Sequence, residues 1–170
     1  MKKDVKVATI TSGIERSYWV QSNLTRTQRH SVALAIFLEV SCGFEAHQGL
    51  YLFTHAAKSS FAADDLLSNL VGFYRVVNPS VYEQVVASKV PVAVAEAIWD
   101  AYPLTSQRNE LLQPLLFPTP HCPNTAGNSG PVHGPLPPEL STIEPAPKGK
   151  WHDDWSSWWP PFNDRFGVSF

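Results

Sequence analysis

The chain reads as a mainly α protein, with four to five helices around a buried central helix at about residues 27–42. A long Pro- and Trp-rich irregular arm follows and is expected to pack on that core. Three observations predict this. The stretch "HSVALAIFLEVSCGFE" is apolar nearly all round between Val32 and Leu38, and a helix without a polar stripe is a buried one. Shorter segments downstream repeat the pattern of a cap followed by a periodic apolar face. From Pro118 onward the pattern stops: residues 118–150 hold nine prolines and four glycines, and neither a helix nor a central strand runs through such a segment.

At 170 residues the chain is long enough for one well-cored domain. We divide it into a helical core over 1–117 and a Pro/Gly-rich loop and Trp-rich arm over 118–170, both parts of the same domain. Charged residues make up 16% of the chain against the usual quarter or so, and hydrophobic residues 44%, which points to a packed protein and not a disordered one. A net charge of −2 with scattered Lys and Arg gives no electrostatic footprint for nucleic acid or an anionic membrane. No apolar run approaches a membrane span, and no signal-peptide apolar region follows the opening lysines. The expected setting is therefore soluble and cytoplasmic as written.

Taken in order, residues 1–24 are mixed. "VKVATI" alternates like a short strand, and "SYWVQS" could be a second one or an irregular piece. "TRTQ" is a capping box: Thr25 can accept from the backbone N–H three residues on, while Gln28 reaches back, so the central helix starts there. Gly43 weakens that helix and is expected to end its regular part. A second helix begins after Ser60, with Asp64 and Asp65 in its first turn and Leu66, Leu67, Leu70, Val71 and Phe73 as its core face. Asn78-Pro79 reads as the start of a third. "VAVAEAIWDAY" makes a fourth, up to Pro103, and "SQRNELLQPLL" a short fifth. The last twenty residues hold four tryptophans and three phenylalanines, costly to leave in water, so the arm is expected to return to the core or to a partner.

Glu39 is the candidate catalytic residue, because an acid stands inside the most apolar helix. Glu39, Gly43 and His47 recur at helical spacing on one face, giving a carboxylate, a gap and an imidazole, with Glu45 nearby. A carboxylate between Leu38 and Val40 has its pKa raised by desolvation unless something pairs with it, and a raised carboxyl suits a general acid. The structural alternative is a buried acid capping a helix or paired with Arg29 or Arg75. In "SSFAADDLLSNLVG", Ser68 and Asn69 interrupt a leucine-rich face, and as polar groups there they need partners, Glu39 among the candidates. Glu45, His47, Asp65, Ser68 and Asn69 are the candidate binding residues.

Cys42 and His47, five residues apart on one helix, point about 140° apart and do not make a nucleophile pair. Cys42 and Cys122 permit one disulfide, but their spacing does not demand it, and reduced thiols are the expectation. "PHC" at 120–122, with His133 and "WHDD" at 151–154, could supply loop ligands for a metal, but no ligand spacing supports such a site, and phosphate loops, Rossmann glycines and the G-x-S-x-G elbow are absent. No metal and no cofactor is expected.

These two segments resemble an uncharacterised bacterial domain family, often found in predicted lipoproteins, in which a His-Glu helix precedes a Ser-Asn-Leu segment. Glu39 matches the family's glutamate. Ser60, Phe61, Asp65, Leu66, Ser68, Asn69, Leu70 and Gly72 match the second segment, so the likeness covers roughly residues 30–75. The histidine expected before the glutamate is Leu38 here. The resemblance implies that the two segments share one site, and it carries no activity with it. The order of Glu39 and Ser41 at the end of an apolar helix is also similar to lysozyme-like lytic transglycosylases, in which one carboxylic acid protonates a glycosidic oxygen. Two functions follow: a small hydrolase-like or ligand-binding protein centred on Glu39 and the Asp65–Asn69 helix, or a non-enzymatic interaction protein that contacts a partner through its Trp-rich arm, with Glu39 structural.

Overall fold

The structure, a computed structural model, describes residues 2–7, 10–48, 61–80, 90–102, 108–117 and 130–154. The chain forms two compact units. The first holds Met1–Ala57 and Thr142–Phe170, the second Lys58–Ser141.

The first unit opens with a hairpin, β1 (Lys2–Val7) antiparallel to β2 (Ile10–Glu15), in register from Lys2 opposite Glu15 to Val7 opposite Ile10. Strand β3 (Tyr18–Val20) follows, and then helix α1 (Arg26–Gln48). The α1 start is the expected capping box: Thr25 N–H donates to Gln28 Oε1 at 2.9 Å, and Gln28 N–H donates to Thr25 Oγ1 at 3.3 Å. From Leu34 on, every α1 residue is buried or half-buried, as an apolar surface on all sides requires.

The helix does not end at Gly43. A Cβ there would meet Ile14 Cδ1 at 3.2 Å and Arg16 Nε at 3.9 Å, so the missing side chain admits the end of β2 against the helix. Residues 144–154 of the C-terminal arm are built into this unit. Ser31 Oγ donates to the Glu144 carbonyl, Ala146 N–H donates to the Ser31 carbonyl, and Ala146 joins Leu24 and Val32 in a core that Ala35, Ile36 and Trp151 cover. Strand β6 (His152–Asp154) then pairs antiparallel with β3, Tyr18 opposite Asp154 and Val20 opposite His152. Residues 155–170, with three of the four arm tryptophans, lie outside the described residues.

The second unit centres on helix α2 (Asp65–Val77), whose buried Leu66, Leu70, Phe73 and Tyr74 form one stripe at helical spacing. Phe73 and Tyr74 meet edge to face with centroids 5.7 Å apart, and the 3-10 helix Pro138–Ser141 packs on α2 in this unit. Pro79 and Ser80 are helical, where Asn78-Pro79 predicts a third helix; the rest of that predicted segment lies outside the described residues. Helix α3 (Val92–Ala101) is the predicted fourth, begun at Pro91, and none of its residues is buried. Strands β4 (Leu115–Leu116) and β5 (Val132–His133) close a short antiparallel pair. Beside it, a Cβ at Gly134 would lie 2.8 Å from Leu116 Cδ1, so a side chain there would make the exposed Leu116 side chain shift.

The mainly α expectation of four to five helices is overturned. Among the described residues there are three α-helices, one 3-10 helix and three two-stranded antiparallel ladders, an α+β arrangement. The strand readings of "VKVATI" and "SYWVQS" fall on β1 and β3, whereas β4, β5 and β6, two or three residues long, are too short to show a period-2 pattern in the sequence. The predicted fifth helix is also replaced. Within "SQRNELLQPLL", Arg108 forms a bridge to Ala62, the chain then bends, and Leu115 and Leu116 are strand. Asn109 takes over the work a helix would do for this backbone. Its Nδ2 donates to the Ala63 and Gln113 carbonyls at 3.0 and 2.8 Å, and its Oδ1 accepts from Leu111 N–H at 3.1 Å. Its own N–H donates to the Phe61 carbonyl at 2.8 Å, which helps hold Phe61 at φ 52°, a strained value for a bulky residue.

Candidate functional site

Arg16, Tyr18, Glu39 and Asp154 of the first unit come together between the β3–β6 ladder and α1. Because side chains alternate along a strand, Tyr18, Val20, His152 and Asp154 share one face of the ladder while Trp19 and Asp153 share the other. Tyr18 and His152 are diagonal neighbours, their rings 6.2 Å apart and tilted by 48°. Arg16 lies between β2 and β3 and passes the Gly43 gap. Its Nη1 donates to Asp154 Oδ2 at 2.8 Å and to Glu39 Oε1 at 3.5 Å. Glu39 therefore has a partner, Arg16 and neither Arg29 nor Arg75, and its side chain keeps 29% of its surface open. Asp154 is the more enclosed carboxylate, at 12%.

Two groups at this corner are left over. The Tyr18 hydroxyl is buried and makes no hydrogen bond of full geometry; the His152 Nδ1 is buried in the same condition. Burial pushes the Tyr18 phenol far above its ordinary pKa of 10.0. The Glu39 charge adds to this, Glu39 acts further as an incipient acceptor, Arg16 opposes it, and Asp154 adds a little more. Tyr18 is thus a neutral phenol across the physiological range. Burying a polar group without a partner costs about 1–3 kcal/mol, so two at one corner need an explanation.

Glu45 and His47 occupy the last turns of α1, Glu45 buried and His47 half-buried. Burial and then the Glu45 charge push the Cys42 thiol up to about 11; Cys42 is free, and Cys122 lies outside the described residues. Ser41 is buried with its hydroxyl unpartnered. The remaining predicted residues belong to the second unit. Asp65 accepts the Ala62 N–H through Oδ2 at 2.8 Å, closing the turn into α2; Ser68 is exposed and Asn69 half-buried. Glu39, Glu45 and His47 thus share one helix, and Asp65, Ser68 and Asn69 another.

Arg16, Tyr18, His152 and Asp154 were not singled out as site residues by the sequence reasoning. Asp154 and Arg16 meet across 138 positions, and no local spacing encodes such a contact. The gap that Gly43 leaves on the Glu39 face was the available signal. Among the described residues, no group of three or more His, Cys, Asp or Glu side chains is placed to hold a metal ion, and no helix is long and apolar enough to cross a membrane.

No protein-family model, no curated protein and no solved structure matches this chain.

Proposed function

We propose that this protein binds a small, neutral polar molecule at the Tyr18–Glu39 corner of its first unit. The observation that carries the reading is a pair of buried polar atoms at the edge of the Arg16–Glu39–Asp154 network: His152 Nδ1, which has no partner, and Tyr18 Oη, which has the Glu39 carboxylate beside it but makes no hydrogen bond of full geometry. Two carboxylates there accept, and a neutral phenol and a guanidinium donate. The matching ligand group carries a donor and an acceptor together, as a carboxamide does. A cation or an anion fits less well, because Arg16 already balances part of the carboxylate charge.

Hydrolysis at Glu39 is the less supported half of the expectation. A thiol pushed up to about 11 is protonated near neutral pH, so Cys42 is a poor nucleophile, and the Ser41 hydroxyl is buried. The interaction-arm reading rests on residues beyond Asp154, while the arm up to Asp154 contributes Ala146, Trp151 and β6 to the first unit. The likeness to the uncharacterised bacterial family adds no ligand to either reading.

The test is a thermal-shift titration with acetamide, propionamide and benzamide on wild type and Tyr18→Phe. The reading expects at least one amide to raise the Tm of wild type and to lose that effect in the variant. If no amide moves the wild-type Tm, or if the shift survives in Tyr18→Phe, the corner is not an amide site.

A further inference from the structure

The opposite face of the same ladder carries a second set of groups, which shares only His152 with the Tyr18–Glu39 corner. Trp19 stands opposite Asp153 there, and beyond them Gln21 N–H donates to the Trp151 carbonyl at 2.9 Å, which continues the pairing. These residues, with Val20, Gly149, Lys150 and His152, line an open groove of about 290 Å³. That lies at the low end of ligand-site volumes, roughly 300–1,000 Å³, and suits a single ring better than an extended chain.

Its chemistry is mixed in a particular way. Trp19 is 63% exposed, a large apolar surface to leave in water. The Lys150 ammonium lies 4.3 Å from the centroid of the Trp151 ring, which places a donor over one aromatic wall. Asp153 Oδ1 accepts the Asp154 N–H at 2.9 Å, and its second oxygen keeps lone pairs for further donors. Gln21 adds an exposed amide.

We propose that this groove is a saccharide site that seats one neutral pyranose ring against Trp19, with ring hydroxyls donating to Asp153 and meeting Gln21 and Lys150. A pyranose has an apolar C–H face for an indole and a rim of groups that both donate and accept, so it uses the aromatic and the polar halves of the groove together. A proline-rich peptide would use the aromatics alone, because proline has no N–H to give the Asp153 carboxylate. Glycine at position 149, in a left-handed conformation at φ 75°, sets the turn that brings Lys150 over Trp151.

The experiment is an NMR titration of the full chain with maltotriose, cellotriose and chitotriose, reading the indole N–H signals. One of these should shift the Trp19 indole saturably. Trp19→Ala should weaken binding about tenfold or more, as loss of an aromatic anchor does. Asp153→Asn, which retains the oxygen that accepts the Asp154 N–H, should weaken it less. Tyr18→Phe should leave it unchanged, so this site and the amide corner succeed or fail separately. The proposal is overturned if none of the three sugars shifts the Trp19 indole, if Trp19→Ala binds as wild type does, or if decaproline shifts that signal where the sugars do not.

Discussion

Asn109 in the second unit and the Tyr18–His152 pair in the first are all polar groups taken out of water, yet they are treated in opposite ways. Asn109 is 2% exposed, and its side chain spends every group on the backbone around it: two carbonyls accept from it and one N–H donates to it. Tyr18 Oη and His152 Nδ1 are buried with nothing opposite them at full hydrogen-bond geometry, although three charged side chains stand close by. A satisfied hub of the first kind rigidifies a loop and explains itself. An unsatisfied corner of the second kind lowers stability and makes sense as a place kept for something else. Burial of a polar residue therefore does not separate structure from function here. Its hydrogen-bond account does.

The largest expected effect breaks the comparison from the structural side. Asn109→Ala strands two carbonyls and one N–H and should cost about 3 kcal/mol or more in a urea titration. A loss under about 1 kcal/mol would mean that water replaces the amide easily and that Asn109 is no hub.

Next comes Arg16→Leu, which leaves Glu39 and Asp154 facing each other without their bridge. With side chains 30%, 29% and 12% exposed, screening reduces the loss from what a fully buried pair would show, to about 1–2 kcal/mol at low salt. The double variant Arg16→Leu with Glu39→Gln should recover part of it, and failure to recover would place the effect in the packing of Arg16 against α1.

Alkaline pH sharpens the other side. Tyr18 has a raised pKa in the folded state, so its contribution is fully present below the unfolded value of 10.0 and is lost as pH rises beyond it, where the unfolded chain ionises and the folded one does not. Wild type should lose stability above that pH more steeply than Tyr18→Phe. Parallel curves would show that Tyr18 is not held neutral by burial and Glu39.

How much of this was legible before the structure follows the range of each interaction. The Thr25–Gln28 box is complete within four residues, and it forms as read. Asp65 at the start of α2 and the Leu66–Leu70–Phe73 stripe are also local, although the core face read from the sequence did not include the buried Tyr74. The fifth helix failed for a reason of the same kind. "NELLQ" carries a helix former at most positions, but one asparagine side chain organised the backbone as a loop, and propensity has no term for that. The Glu39 site was half legible: the acid and the glycine gap were visible, while Arg16, Tyr18, His152 and Asp154 reach it only through strand pairing between residues 18–20 and 152–154.

The most direct test of the central claim is the unfolding free energy of Tyr18→Phe against wild type at neutral pH and without ligand. Removing a buried hydroxyl that makes no hydrogen bond of full geometry, while keeping the ring against His152, should leave stability unchanged or raise it by about 1 kcal/mol. A loss of about 1 kcal/mol or more would show that the hydroxyl is satisfied in solution, and the Tyr18–Glu39 corner would then be part of the scaffold in the way Asn109 is.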